Sequence, residues 1–441
     1  MSDALRELLR EKLEGVHDAE RFLVAYSGGA DSHALLHAVV SLDLPQEIVA
    51  LHVNHGLSPN ADAWQAHCAE VAKKLGISFY AERVAVIRNG SGLENAARQA
   101  RYDIFSSRVD YCDVLLMAHH ADDQIETFFL RLLRGSGVRG LGGMPEWRTL
   151  GGGSLYRPWL SRPQAELREY AIQHQLNWVE DESNCDLQFD RNYLREQVLP
   201  VLNARWPQAG HSIARSMAWC GEADAVNDEL AEIDFFACYP HSERFGFSLA
   251  YAYLLGLSRA RRRNVLRLWF LRYGVSVPGH KILDAIQEQI IHSRADASPQ
   301  ITWDEWQCRR YQGRIYVMPQ LPPMDCERIW QCSVDDLLSN ASFGQLSFSS
   351  VCGQGMRLDN ARPLTVSFAR EGIRCRPHGR GHSQSLKKLF QECAIPPWLR
   401  ERTPLIYQDE QLLAVGDWWI CADAMVQEHE VGYLPQWELS A

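Results

Sequence analysis

The first third of the chain alternates short apolar runs with longer segments in which apolar residues recur every three or four positions. Short apolar runs bounded by polar residues are typical of buried strands, and the longer spacing is typical of amphipathic helices. The pattern predicts strands at 21–27, 47–55, 78–86 and 113–119, and helices at 31–42, 61–75, 93–108 and 122–134. Strands and helices in this order predict an α/β domain whose parallel sheet is covered by helices on both faces.

The rest of the chain shows two breaks in its pattern, which indicate linkers. The first break is the polar segment 204–210, and the second is the proline-rich segment 319–323. We therefore predict an α/β domain at 1–205, a mostly helical middle domain at 211–320 and a small α+β domain at 331–441.

Composition places the chain among ordinary globular proteins. Of its 441 residues, 46% are apolar and 23% are charged. The charged N-terminal segment has no apolar core of a signal peptide, and no stretch approaches the roughly 20 apolar residues of a membrane span. We therefore expect a cytoplasmic protein without a membrane partner. The twelve cysteines include no C-x-x-C pair, so we expect reduced thiols rather than a zinc or iron–sulfur site.

The sharpest motif lies where the first predicted strand passes into a helix, and it reads Ser27-Gly28-Gly29-Ala30-Asp31-Ser32. Glycines let the backbone approach a phosphate closely, and the start of a helix offers free N–H groups and a positive dipole end. The two serine hydroxyls can donate hydrogen bonds, and Asp31 can hold magnesium. The motif therefore predicts a phosphate-binding loop. A tight turn with a polar helix cap is the structural alternative.

A second polar cluster lies where the fourth predicted strand passes into its helix. His119 ends the strand, while Asp123 and Glu126 are three residues apart and share one helix face. Such a group can bind a metal or hold a cation, and N-capping by acids such as Asp122 is the alternative. An apolar stripe is predicted to be buried on this helix, formed by Ile125, Phe128, Phe129, Leu132 and Leu133.

The charge distribution favours an RNA contact near the C-terminus, although the net charge is −10. The segment 370–402 has eight Lys or Arg residues and only three Glu residues. Local basic patches bind phosphate even in acidic proteins, and a solvated basic face is the alternative. The basic residues predicted to bind RNA are Arg374, Arg376, Arg380, Lys387 and Lys388. Trp398, Trp418 and Trp419 are either stacking platforms for bases or part of the core.

The glycine motif resembles the PP-loop of ATP pyrophosphatases, which cleave ATP between the α- and β-phosphates and adenylylate their substrate. Further segments resemble the tRNA(Ile)-lysidine synthase family, and they lie at 52–58, 94–102, 118–144, 180–195 and 375–407. The resemblance extends over most of the chain. One difference is Asn54, where the family frequently has Asp, so this position offers an amide instead of a carboxylate.

The resemblance implies a role for each polar cluster. ATP would bind the motif at 27–32 together with His55, and magnesium would bind Asp31 and Asp123. His119 would contact the phosphates or the leaving pyrophosphate. Glu126, with help from Asp123, would receive the ammonium group of free L-lysine. One carboxylate would later accept its proton, so that a neutral amine can attack.

Four arginines complete the predicted site. Arg98 and Arg101 lie three residues apart and can meet phosphate or the base, with a solvent-facing pair as the alternative. Arg191 and Arg195 lie four residues apart and can clamp either the lysine carboxylate or a tRNA phosphate. Which of the four holds lysine and which holds tRNA stays open at this point.

The resemblance implies that a wobble cytidine, in the CAU anticodon of an isoleucine tRNA, is adenylylated by ATP and then joined to lysine. The oligomeric state is open, and a homodimer is one possibility. A different PP-loop enzyme, such as a tRNA thiolase or an amidotransferase, is one alternative, but a thiolase would need cysteines in a tighter pattern. A non-catalytic RNA-binding protein is the other, and it would need no magnesium carboxylates.

Overall fold

A computed structural model describes residues 2–85, 93–294, 297–359 and 361–439. These residues form two compact units, Met1–Val226 and Asn227–Ala441. The domain boundaries that we predict from the sequence stay predictions. No helix within the described ranges combines the length and the apolar character that a membrane span requires.

The first unit contains the predicted series of strands and helices. Its strands are β1 (Arg21–Ala25), β2 (Glu47–Asn54), β3 (Ser78–Arg83), β4 (Asp113–Leu116), β5 (Trp147–Leu150) and β6 (Gly153–Tyr156). Its helices are α1 (Ser2–Glu14), α2 (Ala30–Val40), α3 (Ala61–Leu75), α4 (Leu93–Arg108), α5 (Ala121–Leu133), α6 (Val138–Leu141), α7 (Gln164–Gln173), α8 (Asp190–Tyr193) and α9 (Leu199–Arg205). A further helix, α10 (Ala209–Ala237), begins in the first unit and ends in the second.

The six strands form one sheet in the order β3-β2-β1-β4-β6-β5. All neighbours are parallel except β5 and β6, which form an antiparallel hairpin at one edge. Alternate residues of β1 point into different cores, because Phe22 and Val24 join one buried cluster and Leu23 joins another. The predicted α/β domain with a parallel sheet covered on both faces is therefore confirmed.

The strand order places two loops side by side. The chain moves from β1 to β2 on one side and returns to β4 on the other, so the direction of winding changes between β1 and β4. Ligands of such sheets bind outside the carboxyl ends of the strands at this switch point. The glycine motif follows β1, and the His119 cluster follows β4. The fold thus brings together two motifs that are about ninety residues apart in the sequence.

The second unit contains four antiparallel sheets. Its strands are β7 (His241–Ser242), β8 (Phe247–Ala250), β9 (Gln300–Trp303), β10 (Trp306–Tyr311), β11 (Arg314–Pro319), β12 (Trp330–Cys332), β13 (Leu338–Asn340), β14 (Gly344–Cys352), β15 (Leu364–Ser367), β16 (Arg374–Cys375), β17 (Gln384–Ser385), β18 (Leu405–Gln408), β19 (Gln411–Val415), β20 (Trp419–Ile420) and β21 (Val431–Glu438). Its shorter helices are α11 (Tyr251–Gly256), α12 (Arg259–Arg272), α13 (His280–Ala285), α14 (Leu386–Glu392) and α15 (Pro397–Arg400).

The predicted mostly helical middle domain lacked a sheet that the structure contains. Between 211 and 320 the helices pack with a five-stranded sheet in the order β7-β8-β11-β10-β9. The missed signal was the hairpin between β10 and β11. Gln312 and Gly313 both have positive φ angles, +40° and +77°, which is the backbone that joins antiparallel strands through two residues. The C-terminal part combines short strands with α14 and α15, in keeping with the predicted α+β character.

Candidate active site

The glycine motif forms a tight turn between β1 and α2. Gly28 has a φ of +91°, and a Cβ atom there would lie 2.9 Å from both Cys68 Sγ and Val179 Cγ2. Only glycine combines this backbone conformation with such close packing. Gly29 is the N-cap of α2 and has no side chain with which to cap the helix. The first N–H groups of α2 can therefore bind an anionic ligand.

Two serine hydroxyls fix the shape of this turn. The Oγ atoms of Ser27 and Ser32 lie 3.0 Å apart. Ser27 Oγ accepts a hydrogen bond from the Gly29 N–H group at 3.3 Å, and Ser32 Oγ donates to the Gly29 carbonyl at 3.0 Å. Ala30 and Asp31 occupy the first two positions of α2. The structure thus brings the whole motif together at the carboxyl end of β1.

Asp31 and Asp123 approach each other across His120. The Nε2 atom of His120 lies 3.6 Å from Asp31 Oδ2 and 3.4 Å from Asp123 Oδ2. Two converging carboxylates beside a phosphate-binding turn are ligands that Mg²⁺ prefers, so these residues fit that ion. Burial raises the pKa of Asp123, but the neighbouring histidines, Arg191 and a hydrogen bond from the His120 backbone lower it more, so this carboxyl is ionised. In the described parts of the chain, no cluster of three or more His, Cys, Asp or Glu side chains suits a metal.

His120 is a site residue that sequence reasoning missed. It is the N-cap of α5 and forms a capping box: His120 Nδ1 accepts from the Asp123 N–H group, and Asp123 Oδ2 accepts from the His120 N–H group. Burial lowers its pKa, but the nearby carboxylates of Asp31, Asp123 and Asp122 raise it more, so the pKa lies above its ordinary value. A histidine that starts a helix with an acid three residues later was the available signal.

Gln164 contacts the carboxylates of Asp31 and Asp122 and was not predicted. Its Nε2 group donates to Asp31 Oδ2 at 3.0 Å, while its backbone N–H group donates to Asp122 Oδ2 at 2.8 Å. Asp122 is therefore a capping residue, as one of our alternatives held, but it caps α7 rather than its own helix. Through these two hydrogen bonds, Gln164 connects the start of α7 to Asp31 and to Asp122.

The predicted burial of the apolar stripe of α5 was wrong at the C-terminal end of the helix, although Ile125, Phe128 and Phe129 are partly buried. Leu132 and Leu133 are 46% and 75% exposed, and the buried residues of this helix are Glu126 and Thr127. The helix buries a polar face because Glu126 lies against arginines from the segment after α7. Helical spacing gives the apolar face of a helix, but it does not say that this face is the covered one.

Glu126 is clamped by two arginines. Arg195 donates to both of its oxygens, at 2.7 and 3.1 Å, and Arg191 Nε lies 3.1 Å from Oε2. Arg191 also donates to Thr127 Oγ1 at 3.2 Å. Burial raises the pKa of Glu126 despite the opposing effect of Arg195, and Glu126 is only 1% exposed. Three predicted residues thus meet in one ion-pair cluster, in which both carboxylate oxygens already have partners.

Arg101 and His55, which were predicted to serve different ligands, contact each other. Arg101 Nε donates to His55 Nε2 at 3.2 Å, and His55 Nδ1 is a buried nitrogen without a described partner. Burial and the charge of Arg101 lower the pKa of His55 to about 4, so this ring is neutral at pH 7. Arg98 donates to the Tyr102 hydroxyl at 3.3 Å and lies over the Tyr102 ring.

His119 lies beside an arginine that sequence reasoning missed. Arg157 is 2% exposed, and its Nε donates to His119 Nδ1 at 3.1 Å. Burial lowers the pKa of His119 to about 3, with Asp123 opposing the effect and Arg157 adding to it. Among the described contacts of Arg98, Arg101 and Arg157, none is with a carboxylate. The cleft thus carries positive charge that a triphosphate can neutralise.

The predicted basic residues near the C-terminus are partly neutralised. Arg376 pairs closely with Asp423, and Arg380 lies 2.5 Å from Glu392. Lys388 lies 3.9 Å from Glu392, and Arg374 donates to the Ser383 carbonyl at 2.6 Å. Lys387 is exposed and has no ion-pair partner among the described side chains. The two lysines of α14 are therefore the residues of this group that are most available to phosphate.

Two of the three predicted stacking tryptophans line a surface cavity of about 270 Å³. Trp418 and Trp419 contribute to its wall with Pro377 and Pro435. Trp418 also lies 4.3 Å from the guanidinium of Arg244. Trp398 belongs to the buried core instead and is 7% exposed, so its core alternative is the correct one.

The fold and this site define an enzyme of the PP-loop class that binds ATP. Residues 2–202 match the family described as the PP-loop domain. Residues 249–316 match the TilS substrate binding domain, and 364–437 match the TilS substrate C-terminal domain. The chain is 40% identical to the tRNA(Ile)-lysidine synthase of Coxiella burnetii over 93% of this chain and 92% of that protein. It is 38% identical to that of Photobacterium profundum over 96% and 97%.

The chain belongs to the tRNA(Ile)-lysidine synthase family. It is an ATP-dependent ligase that acts on tRNA. Membership decides against a tRNA thiolase, an amidotransferase and a non-catalytic RNA-binding protein. The resemblance of the sequence motifs to this family is therefore confirmed. The role of each site residue stays a prediction.

Proposed function

We propose that the chain joins L-lysine to C2 of the wobble cytidine in the CAU anticodon of an isoleucine tRNA. ATP adenylylates O2 of the base and releases pyrophosphate, which provides AMP as a leaving group. A carboxylate of the site accepts the proton of the ε-ammonium group of lysine, and the neutral amine then attacks C2 while the C2–O bond to AMP breaks. The product, lysidine, pairs with A, so the tRNA reads AUA and is charged with isoleucine. The observation that carries this proposal is the convergence of Asp31 and Asp123 beside the glycine turn.

In the first step the glycine turn and the arginines hold ATP. The N–H groups at the start of α2 and the hydroxyls of Ser27 and Ser32 bind phosphate oxygens. Asp31 and Asp123 would hold magnesium, which would neutralise charge on the phosphates. Arg98 and Arg101 contribute positive charge that their described partners do not cancel. Binding the triphosphate in this cleft orients the α-phosphate toward the cytosine.

In the second step Glu126 binds an ammonium group of lysine. Its carboxylate is held by Arg195 and Arg191, so lysine must replace at least one guanidinium contact. A lysine zwitterion supplies both charges for such an exchange, because its ammonium pairs with Glu126 while its carboxylate pairs with the released arginine. We therefore assign Arg191 and Arg195 to lysine, and Arg98 and Arg101 to ATP or tRNA.

Labelled lysine should enter the isoleucine tRNA only when ATP and magnesium are present, and AMP and pyrophosphate should form in equal amounts. The measurement is acid-precipitable label together with chromatography of the nucleotides. The methionine tRNA, which shares the CAU anticodon, is the control and should remain unlabelled. Formation of ADP, or equal labelling of both tRNAs, would contradict the proposal. A homodimer remains a proposal that sedimentation of the chain with and without tRNA tests.

Replacement of Lys387 and Lys388 by glutamine should weaken tRNA binding and flatten its dependence on salt. Each lost phosphate contact lowers the slope of log K against log salt by about 0.7 to 0.9. The measurement is filter binding of tRNA between low and moderate salt. Lys73 and Lys74 are a matched control, because they are also an exposed pair at one helix, with Lys74 near Glu70. An equal effect of both double variants would refute a specific contact.

Replacement of Trp419 by leucine should weaken tRNA binding without changing the salt slope. Stacking of one base on an aromatic ring contributes about 1–3 kcal/mol, or roughly 5- to 150-fold in Kd, and releases no counterions. Trp219 is 59% exposed and provides the control variant Trp219→Leu. The thermal midpoint is measured in parallel, because Trp419 also packs against Phe390. A reduced salt slope, or unchanged tRNA affinity in a folded variant, would contradict base stacking.

A further inference from the structure

Arg157 is a buried cation whose partners are all neutral. It follows β6 directly, is 2% exposed, and donates to His119 Nδ1 at 3.1 Å, to the Pro145 carbonyl at 2.7 Å and to the Tyr102 hydroxyl at 3.4 Å. Among its described hydrogen-bond and ion-pair partners there is no carboxylate. A buried guanidinium without an acid is costly, so its position calls for an explanation beyond packing.

The contact with His119 determines which ring nitrogen carries the proton. A guanidinium has only donors, so His119 Nδ1 must present its lone pair to Arg157 Nε. The single proton of the neutral ring is then on Nε2. Protonation of Nδ1 would place two N–H groups against each other beside a fixed positive charge. The geometry therefore favours one tautomer and disfavours the imidazolium.

We propose that Arg157 is a positioning residue that holds His119 as a neutral Nε2–H donor for an anionic oxygen of ATP or pyrophosphate. This inference rests on the proposed function, which places His119 at the phosphates. His119 then gives a hydrogen bond of fixed direction and transfers no proton during adenylylation. Arg157 holds the imidazole ring through this hydrogen bond, and its positive charge disfavours protonation of the ring. A hydrogen-bond partner at one ring nitrogen selects the tautomer of a functional histidine in this way.

The hairpin at the sheet edge makes this arrangement possible. Strand β6 pairs in parallel with β4, with Leu116 opposite Tyr156, so the residues that follow the two strands lie at the same edge of the sheet. Arg157 also donates to Tyr102, which receives a hydrogen bond from Arg98 as well. Each of the two arginines therefore has a neutral partner, and the charge of both is left for the ligand.

The first test is the tautomer itself, measured by two-bond ¹H–¹⁵N spectra of the full chain labelled at histidine. The His119 signals are assigned by their loss in His119→Gln. Nε2 should be protonated and Nδ1 unprotonated from pH 5 to pH 8. Arg157→Met should let His119 populate both tautomers and raise the pKa of His119 above its native value, whereas Arg157→Lys, which retains a donor and a charge, should preserve the native signature. A protonated Nδ1 in the native protein would overturn the proposal.

Arg101→Met is the matched control, because Arg101 also donates to a histidine of the cleft, His55. That variant should leave the His119 signature unchanged. If Arg157→Met does not fold, as judged by its thermal transition, the native pH series and Arg157→Lys decide the matter. A native spectrum that shows His119 charged at pH 7 would equally refute the inference.

The second test is the rate of pyrophosphate release with ATP and tRNA in the absence of lysine. Arg157→Met should lower kcat about 10- to 100-fold and change the KM for ATP less. Loss of a hydrogen-bond partner that orients a functional side chain typically has an effect of this size. His119→Gln places an N–H group near the position of Nε2 and should be more active than His119→Asn. If all His119 variants release pyrophosphate at the native rate while the tautomer is as expected, the phosphate role fails and the positioning by Arg157 stands.

Discussion

Asp31→Ala should reduce pyrophosphate release by roughly 10³-fold or more, because it removes one of the two carboxylates that would hold magnesium against the charge of the phosphates. Asp31 Oδ2 lies 3.6 Å from His120 Nε2, on the side that faces Asp123. In this variant Asp123 would be the one remaining carboxylate of the pair that is proposed to hold magnesium. The measurement is pyrophosphate release with saturating ATP and tRNA, and tRNA binding should change by less than threefold.

Asp122→Asn is the control for this experiment. Asp122 is one residue from Asp123, but its carboxylate accepts the backbone N–H group of Gln164. An asparagine oxygen can keep that contact, so adenylylation should remain close to the native rate. If Asp122→Asn is as damaging as Asp31→Ala, the loss reflects general disturbance of the start of α5. If Asp31→Ala remains active, the site assignment is wrong.

Glu126→Gln should separate the two steps of the reaction. Pyrophosphate release without lysine should persist, whereas transfer of lysine should fall by about 100-fold, because a neutral amide attracts an ammonium group far less than a buried carboxylate does. The lysine KM and the yield of lysidine are measured at saturating ATP and tRNA. Glu166→Gln is the control, since Glu166 forms an arginine pair with Arg162 elsewhere in the same unit. Equal loss of both steps in Glu126→Gln would contradict a role in lysine binding.

Arg195→Met should destabilise the first unit in a pH-dependent manner. It leaves Glu126 buried with Arg191 as its remaining cation. Burial already holds the pKa of Glu126 above its ordinary value, and loss of Arg195 raises that pKa further. A folded pKa above the unfolded one means that stability decreases as pH rises through it. Thermal unfolding should therefore show a larger loss at pH 8 than at pH 5, and a loss independent of pH would argue against an ionised Glu126.

The motifs at the two loops could be found without the structure because their chemistry is local. A double glycine after a strand and an acid at the start of a helix act through the backbone beside them, so six adjacent residues describe the phosphate-binding turn. The strands β1 to β4 were found for the same reason, since continuous apolar runs indicate burial on both faces. The hairpin at Gln312 and Gly313 escaped notice because its strands carry arginines and follow a helical stretch.

The sequence by itself determined the class of domain, the phosphate-binding turn and, through its motifs, the family. Only the tertiary structure decided that Glu126 is buried between two arginines, that Asp122 caps α7, and that Arg157 lies behind His119. Each of these contacts joins residues about forty to seventy positions apart, and each depends on which strands and helices are neighbours. Periodicity describes which faces of an element are apolar, whereas the partners of a polar side chain are set by the packing of elements from elsewhere in the chain.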